Sequence, residues 1–407
     1  MTCEVAVMNN RGIALAADSA VTLGERKVYY TAEKLFQLSP VAPIAILTYG
    51  SADIMGVPWE TVVKMFSRKL ADQRFDSVEQ CAQEFFRFIE ASNSLFPESA
   101  QTLSFQLEVG DYWKTEFADQ LQAKLKEEPK ATPKRAGSLL SELVNRDILK
   151  NWNKYEVIEA LGAAYGDRVL AEYAGQIDEL EKQVFGSADL PSKTKKDLRT
   201  IVRHMYMKNW FHPADRSGVV VAGMGESEPF PVLVHYHVGT IAAGRLRFSK
   251  VDEARVTHED DAMVVPLGQT QVIDMFYRGI FPKLEHSIPG LVLRCLGEVV
   301  GPLGKRSAAK LSEKFEEAFK KILDEEVHEK YTNPLIAAVS ALPRYELAKL
   351  AEALVNLTAF RAHMSADEFE TVGGPIDVAV ISKGDGFVWV KKKNLVRGDV
   401  LHSETLL

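Results

Sequence analysis

Strand-like segments lie at the start, the middle and the end of this 407-residue chain, and long helical stretches separate them. That layout restricts the fold more than any other feature. A strand with an apolar face must pair and be covered, so three separated groups of strands have to converge on shared sheets. The first group is Cys3-Glu4-Val5-Ala6-Val7-Met8 and Ile13-Ala14-Leu15-Ala16-Ala17-Asp18, split by Asn9-Asn10-Arg11-Gly12. Asn and Gly suit a tight hairpin turn. A second pair, Lys34–Leu38 and Ile44–Tyr49, flanks the turn Ser39-Pro40-Val41-Ala42-Pro43. Gly218–Gly223, Phe230–Val238, Arg245–Val251 and Ala262–Pro266 form the middle group, and Ile376–Ser382 with Phe387–Lys392 the last. Residues 57–208 and 270–362 carry apolar residues at three- and four-residue spacing and read as helical. Antiparallel strands covered by helices predict an α+β fold.

Charge and cysteine content narrow the function. A net charge of −7 gives no broad attraction to nucleic acid or to an anionic membrane. No apolar run reaches the roughly 18–20 residues that span a bilayer, and no basic stretch with an apolar core opens the chain. Cys3, Cys81 and Cys295 lie far apart, without metal or disulfide spacing. A cytoplasmic protein is expected. His235 and His237 share a strand face, but no third ligand has suggestive spacing, so neither a metal nor another cofactor is expected.

The first two hairpins place chemistry together. A turn centred near Asn10 and Arg11 pairs residues whose numbers sum to about 21, so Thr2 faces Ser19 with Asp18 one step away. The second hairpin sets Lys34 opposite the neighbourhood of Thr48. Together the hairpins predict Thr2, Asp18, Lys34 and Gly50 at one end of one sheet. A small second residue such as threonine lets methionine aminopeptidase remove Met1. The chain would then begin with a hydroxyl and an α-amine of pKa roughly 7.7–8.0 on one residue, a nucleophile with its own base. A lysine nearby keeps that amine unprotonated and stabilises an alkoxide. Asp18 would hold Lys34, and the Gly50 N–H would meet a developing oxyanion. Taken singly, each residue also has a plain structural reading: a common second residue, an edge-strand lysine, a turn carboxylate, a turn glycine. Their joint spacing separates the two readings.

That spacing resembles the β-type subunits of the proteasome family, a threonine branch of the N-terminal nucleophile (Ntn) hydrolases. Members begin with threonine, followed sixteen residues later by aspartate and thirty-two later by lysine. Thr2, Asp18 and Lys34 fall at those intervals. Gly12-Ile13-Ala14-Leu15-Ala16-Ala17-Asp18 is similar to the family's second strand and Ala32-Glu33-Lys34-Leu35-Phe36 to its lysine strand. Tyr49-Gly50-Ser51-Ala52-Asp53 is similar to its oxyanion segment, Gly218–Gly223 to its middle strand, and Gly373-Gly374-Pro375-Ile376-Asp377-Val378-Ala379-Val380-Ile381 to its closing strand. The resemblance covers about half the chain. There are departures. Leu267 stands where the family has a supporting serine. Phe369-Glu370-Thr371-Val372-Gly373 lacks the usual aspartate and serine, with Asp367, Glu370 and Thr371 as candidates to stand in. The ending is similar to that of the bacterial proteasome-like branch that includes Anbu.

The resemblance implies a four-layer αββα sandwich (the Ntn-hydrolase fold) in a single domain over residues 1–407. Residues 75–208 and 275–340 would be helical insertions. It implies a threonine-type endopeptidase with Thr2, Asp18, Lys34 and Gly50 catalytic. Val21, Ala32, Phe36, Thr48 and Ala52 would line the pocket for the side chain before the scissile bond. A peptide or protein substrate, a homo-oligomer built as a ring or spiral, and an ATP-dependent unfoldase partner follow from the same likeness. Two other readings stand beside it: an Ntn amidase acting on small amides, and an inactive assembly or interaction protein.

Overall fold

The computed structural model describes residues 2–23, 27–128, 130–186, 188–300, 305–364 and 372–393. Strands β1 (Cys3–Asn9), β2 (Gly12–Ala17), β3 (Val21–Leu23), β4 (Lys27–Tyr29), β5 (Leu35–Gln37) and β6 (Ile44–Gly50) come first, then the short β7 (Asp53–Ile54) and β8 (Val57–Pro58). Helices α1 (Trp59–Leu70), α2 (Val78–Ala91), α3 (Glu98–Trp113), α4 (Asp119–Glu127), α5 (Pro133–Lys150), α6 (Ala163–Glu172), α7 (Ala174–Phe185) and α8 (Ser192–Met207) follow. The middle strands are β9 (Ser217–Gly223), β10 (Val232–Ala242), β11 (Arg245–Arg255) and β12 (Ala262–Gly268). Helices α9 (Gln271–Arg278), α10 (Pro282–Val300), α11 (Lys305–Val327), α12 (Asn333–Ala341) and α13 (Arg344–Met364) lead to β13 (Asp377–Ser382) and β14 (Gly386–Lys391).

The fold is α+β with antiparallel sheets. One five-stranded sheet has the order β12-β1-β2-β13-β14, the other β11-β10-β9-β6-β5. The first hairpin keeps the sum of 21, with Glu4 opposite Ala17 and Asn9 opposite Gly12. Its turn is shaped by Asn9, whose Oδ1 accepts the Arg11 N–H at 2.9 Å. The Asn9 amide also donates to the carbonyls of Val339 and Leu342 at 3.0 and 2.9 Å, where α12 ends.

Here the structure corrects one expectation. The two N-terminal hairpins belong to different sheets, β1 and β2 to the first and β5 and β6 to the second. Local pairing reads each hairpin alone and is silent about which hairpins share a sheet. The middle strand β9 decides it by pairing with β6, while β13 pairs with β2.

Side-chain alternation along β1 shows how the layers meet. Cys3, Val5 and Val7 pack with α13, α12 and α9 through Leu347, Val339 and Ile273. Ala6 and Met8 point the other way, into a cluster shared with Leu35, Leu47 and Val220 of the second sheet. The far face of that sheet, with Ile46, Val221 and Val234, is covered by α1 and α2 through Trp59, Phe66 and Phe85. Helices α3–α8 enclose a core of their own that includes Phe105, Trp113, Trp152 and Tyr206 and reaches the sheet at Ala242 and Ala243. No described helix is long and apolar enough to cross a membrane.

Candidate active site

Thr2 and Glu4 lie two residues apart in extended chain, so both side chains fall on the face of the first sheet that looks toward the second. Both are buried, as are Asp18 and Lys34. Thr2 is fixed from behind: its carbonyl accepts the Gln269 N–H at 2.7 Å. Gly268 makes this approach feasible. Its φ is +69°, and a Cβ there would sit 2.3 Å from the Thr2 carbonyl oxygen.

Asp18 follows β2 directly, and both of its carboxyl oxygens are engaged. Its Oδ1 accepts the Lys34 ammonium at 2.5 Å and the Cys3 N–H at 3.3 Å. Its Oδ2 accepts the N–H groups of Gly373 and Ala20 at 2.9 and 3.3 Å. The closing glycine segment therefore docks on Asp18 across the length of the chain. Lys34 precedes β5, and its carbonyl accepts the Thr48 N–H at 2.9 Å. From the second sheet it thus reaches across to Asp18 of the first.

The structure brings Thr2, Asp18 and Lys34 into one buried cluster and adds a member that the spacing argument passed over. The Thr2 hydroxyl donates to Glu4 Oε2 at 3.3 Å, and the Lys34 ammonium lies 3.6 Å from Glu4 Oε1. Two carboxylates face one lysine. Burial pushes the Glu4 carboxyl up to about 8, with Lys34 opposing the shift and Asp18 adding to it. A lone glutamate at the head of an apolar strand resembles ordinary strand-end polarity. Its spacing of two from Thr2 was the available signal, since residues i and i+2 share a face.

Gly50 ends β6 at φ +84°, and a Cβ there would lie 2.6 Å from the Arg216 carbonyl oxygen. Beside it, Tyr49 carries a hydroxyl hydrogen-bonded to His235 Nε2 at 2.5 Å. Burial, with a smaller contribution from Glu4, pushes that phenol up to about 12. Of the residues expected to line a pocket, Thr48 is buried next to Lys34, Val21 and Ala32 are half-buried, and Ala52 is exposed. Phe36 is buried among the residues between the second sheet and α1 and α2. Leu267 lies directly across the ladder from Glu4. Asp367, Glu370 and Thr371 lie outside the described residues.

The lysine run Lys391-Lys392-Lys393 is not wholly turned to solvent. The Lys393 side chain is buried: its ammonium donates to Asp377 at 2.5 Å, the Ala32 carbonyl at 2.7 Å and Ser19 at 2.9 Å. Past β14 the chain continues alongside Asp377, whose Oδ1 accepts the Lys393 N–H at 2.8 Å, so one cation of the run is drawn inward. Among the described residues no group of three or more His, Cys, Asp or Glu is placed to hold a metal ion.

No family model and no curated protein matches the chain. Among solved structures it is similar to an Anbu (Gly-1) mutant from Hyphomicrobium sp. strain MC1, at 12% identity and TM-score 0.32, over 98% of this chain and 89% of that one. It is similar to Anbu (ancestral beta-subunit) from Yersinia bercovieri at 9% identity and TM-score 0.29, over 97% and 88%. A third likeness is to the helical assembly of the Anbu complex from Pseudomonas aeruginosa, at 13% identity and TM-score 0.32, over 97% and 88%.

Proposed function

We propose that the chain is a threonine-type Ntn hydrolase that cleaves peptide bonds once Met1 has been removed, built on a four-layer αββα core. The observation that carries this reading is the buried cluster in which Lys34, gripped by Asp18 at 2.5 Å, shares a carboxylate neighbour with the Thr2 hydroxyl. Burying a lysine and two carboxylates at a sheet end is costly, and packing alone gives no reason for a hydroxyl beside them. In the reaction Thr2 Oγ1 attacks the scissile carbonyl as its proton leaves to a base. Lys34 stabilises the developing alkoxide, Asp18 orients Lys34, and the Gly50 N–H stabilises the tetrahedral oxyanion. An ester forms and water releases it.

In this reading Val21, Ala32, Phe36, Thr48 and Ala52 shape the pocket that precedes the scissile bond. Residues 75–208 and 275–340 are helical additions within one chain-long domain. The protein assembles with copies of itself, and an ATP-dependent unfoldase would feed it folded substrates.

The test is intact mass before and after exposure to a peptide epoxyketone, which closes a ring on the hydroxyl and the amine of an N-terminal threonine. Loss of Met1 and a single adduct are expected in the wild type, with no adduct in Thr2→Ala or Lys34→Ala. Folded wild-type protein that lacks Met1 and adds nothing from a panel of such probes would sink the reading.

A further inference from the structure

Glu4 is a charge in a place that packing does not explain. It sits on the face of β1 whose other residues, Ala6 and Met8, belong to the apolar layer between the sheets. Its cross-strand neighbours are Ala17 on one side and Leu267 on the other. Its residue is 0% exposed. A purely structural buried carboxylate has both oxygens hydrogen-bonded. Here only Oε2 is, and its donor is the Thr2 hydroxyl at 3.3 Å. Oε1 accepts no hydrogen bond among the described residues and lies 3.6 Å from the Lys34 ammonium.

The division of labour between the two carboxylates is set by their partners. Asp18 accepts Lys34 and three backbone N–H groups, which occupy both of its oxygens. Glu4 has one hydroxyl and a more distant ammonium, so it keeps an oxygen without a hydrogen bond beside the Thr2 hydroxyl. The groups that act on it are Lys34 from the segment before β5, Asp18 just after β2, Tyr49 from β6 and, from the opposite face of its own strand, Cys3. Burial raises both the Tyr49 phenol and the Cys3 thiol, so neither competes for the proton near neutral pH.

We propose that Glu4, rather than the α-amine, is the catalytic base of this site, taking the Thr2 Oγ1 proton through its Oε2 as that oxygen attacks the carbonyl. This rests on Thr2 being the nucleophile. The Oγ1–carbon bond forms as the Oγ1–H bond breaks, and the carbonyl electron pair moves onto oxygen. Collapse of the tetrahedral adduct breaks the carbon–nitrogen bond, and the proton held by Glu4 passes to the departing amine. Water then attacks the ester, giving a proton to Glu4, which returns it to Thr2 Oγ1. One peptide and one water become one acid and one amine. Burial places the Glu4 carboxyl near 8, so it is a far better base than an exposed glutamate and still ionises close to neutral pH.

The test uses a β-lactone, which acylates a threonine hydroxyl without involving its amine, followed by intact mass across pH 5–10. Glu4→Gln keeps the shape and an oxygen that can accept from Thr2, but it cannot carry the proton. The expected result is acylation of Thr2 in the wild type, slower by roughly 10²–10⁴-fold in Glu4→Gln, with the variant losing the rise in rate that accompanies Glu4 ionisation. Wild-type rate and pH profile in folded Glu4→Gln would overturn the role of Glu4 and leave the nucleophile reading intact. Absence of Thr2-dependent acylation in the wild type would overturn both. Infrared spectroscopy of the wild type tests the proposal without a variant. A protonated carboxyl band that persists above the ordinary carboxylate range and fades toward pH 9 is expected, and its absence would overturn the proposal even if Glu4→Gln does not fold.

Discussion

At the scale of single residues, the cluster ties stability to pH with a definite sign. The folded chain holds the Glu4 proton up to about 8, whereas the unfolded chain releases it in the ordinary carboxylate range. Below that range both states are protonated and the folded state keeps its full stability. As pH rises through the window the unfolded state sheds a proton that the folded state retains, so stability falls; above about 8 both are ionised and the fall stops. Glu4→Gln is expected to flatten this slope and to stabilise the protein by a few kcal/mol, to order of magnitude, at pH 9. Thermal melts of wild type and variant from pH 4 to pH 9 check it, and parallel curves would contradict it. Thr2, Asp18 and Lys34 were legible because their intervals along the chain are set by two hairpins. Glu4 was not, because a carboxylate at a strand end is usually solvated, and here only the second sheet keeps water from it.

At the scale of elements, the same logic governs the join between the helical block and the second sheet. Arg247 on β11 and Glu108 on α3 are both buried and meet at 2.8 Å. Glu108 also accepts the Tyr206 and Thr240 hydroxyls at 2.9 and 3.0 Å, while Arg247 donates to the carbonyls of Met205 and Trp210 at 2.5 and 2.6 Å. One ion pair therefore links α3, α8, β10 and β11. Arg247→Met leaves Glu108 buried without its cation and is expected to cost about 3–5 kcal/mol. Denaturant unfolding measures this, and a change under 1 kcal/mol would show the pair to be dispensable. The β1–β2 and β5–β6 hairpins were readable from their turns and apolar runs. Their assignment to separate sheets was not, since it depends on β9 and β13, which arrive more than 150 and 300 residues later.

At the scale of the whole molecule, α13 packs one side on the first sheet through Leu347, Ala351 and Leu354. Leu357, Phe360 and Met364 are 40%, 64% and 68% exposed, and their spacing places them on a common face. Apolar side chains grouped in this way are the kind of surface that contacts between proteins bury. Self-assembly through this face predicts that Phe360→Asp lowers the mass measured by light scattering without lowering the melting temperature. An unchanged mass would show that this face makes no contact between copies.

The sequence by itself determined the local elements and the intervals between chemistry-bearing residues, because hairpin pairing and side-chain alternation act over a few residues. It thereby set Thr2 beside Asp18 and Lys34 beside Thr48. Only the tertiary structure decided that these two pairs face each other across two sheets, that Glu4 joins them, and that Lys393 is drawn inward. Each depends on which surfaces exclude water together, and burial turns an ordinary carboxylate or ammonium into one whose charge must be answered by a partner.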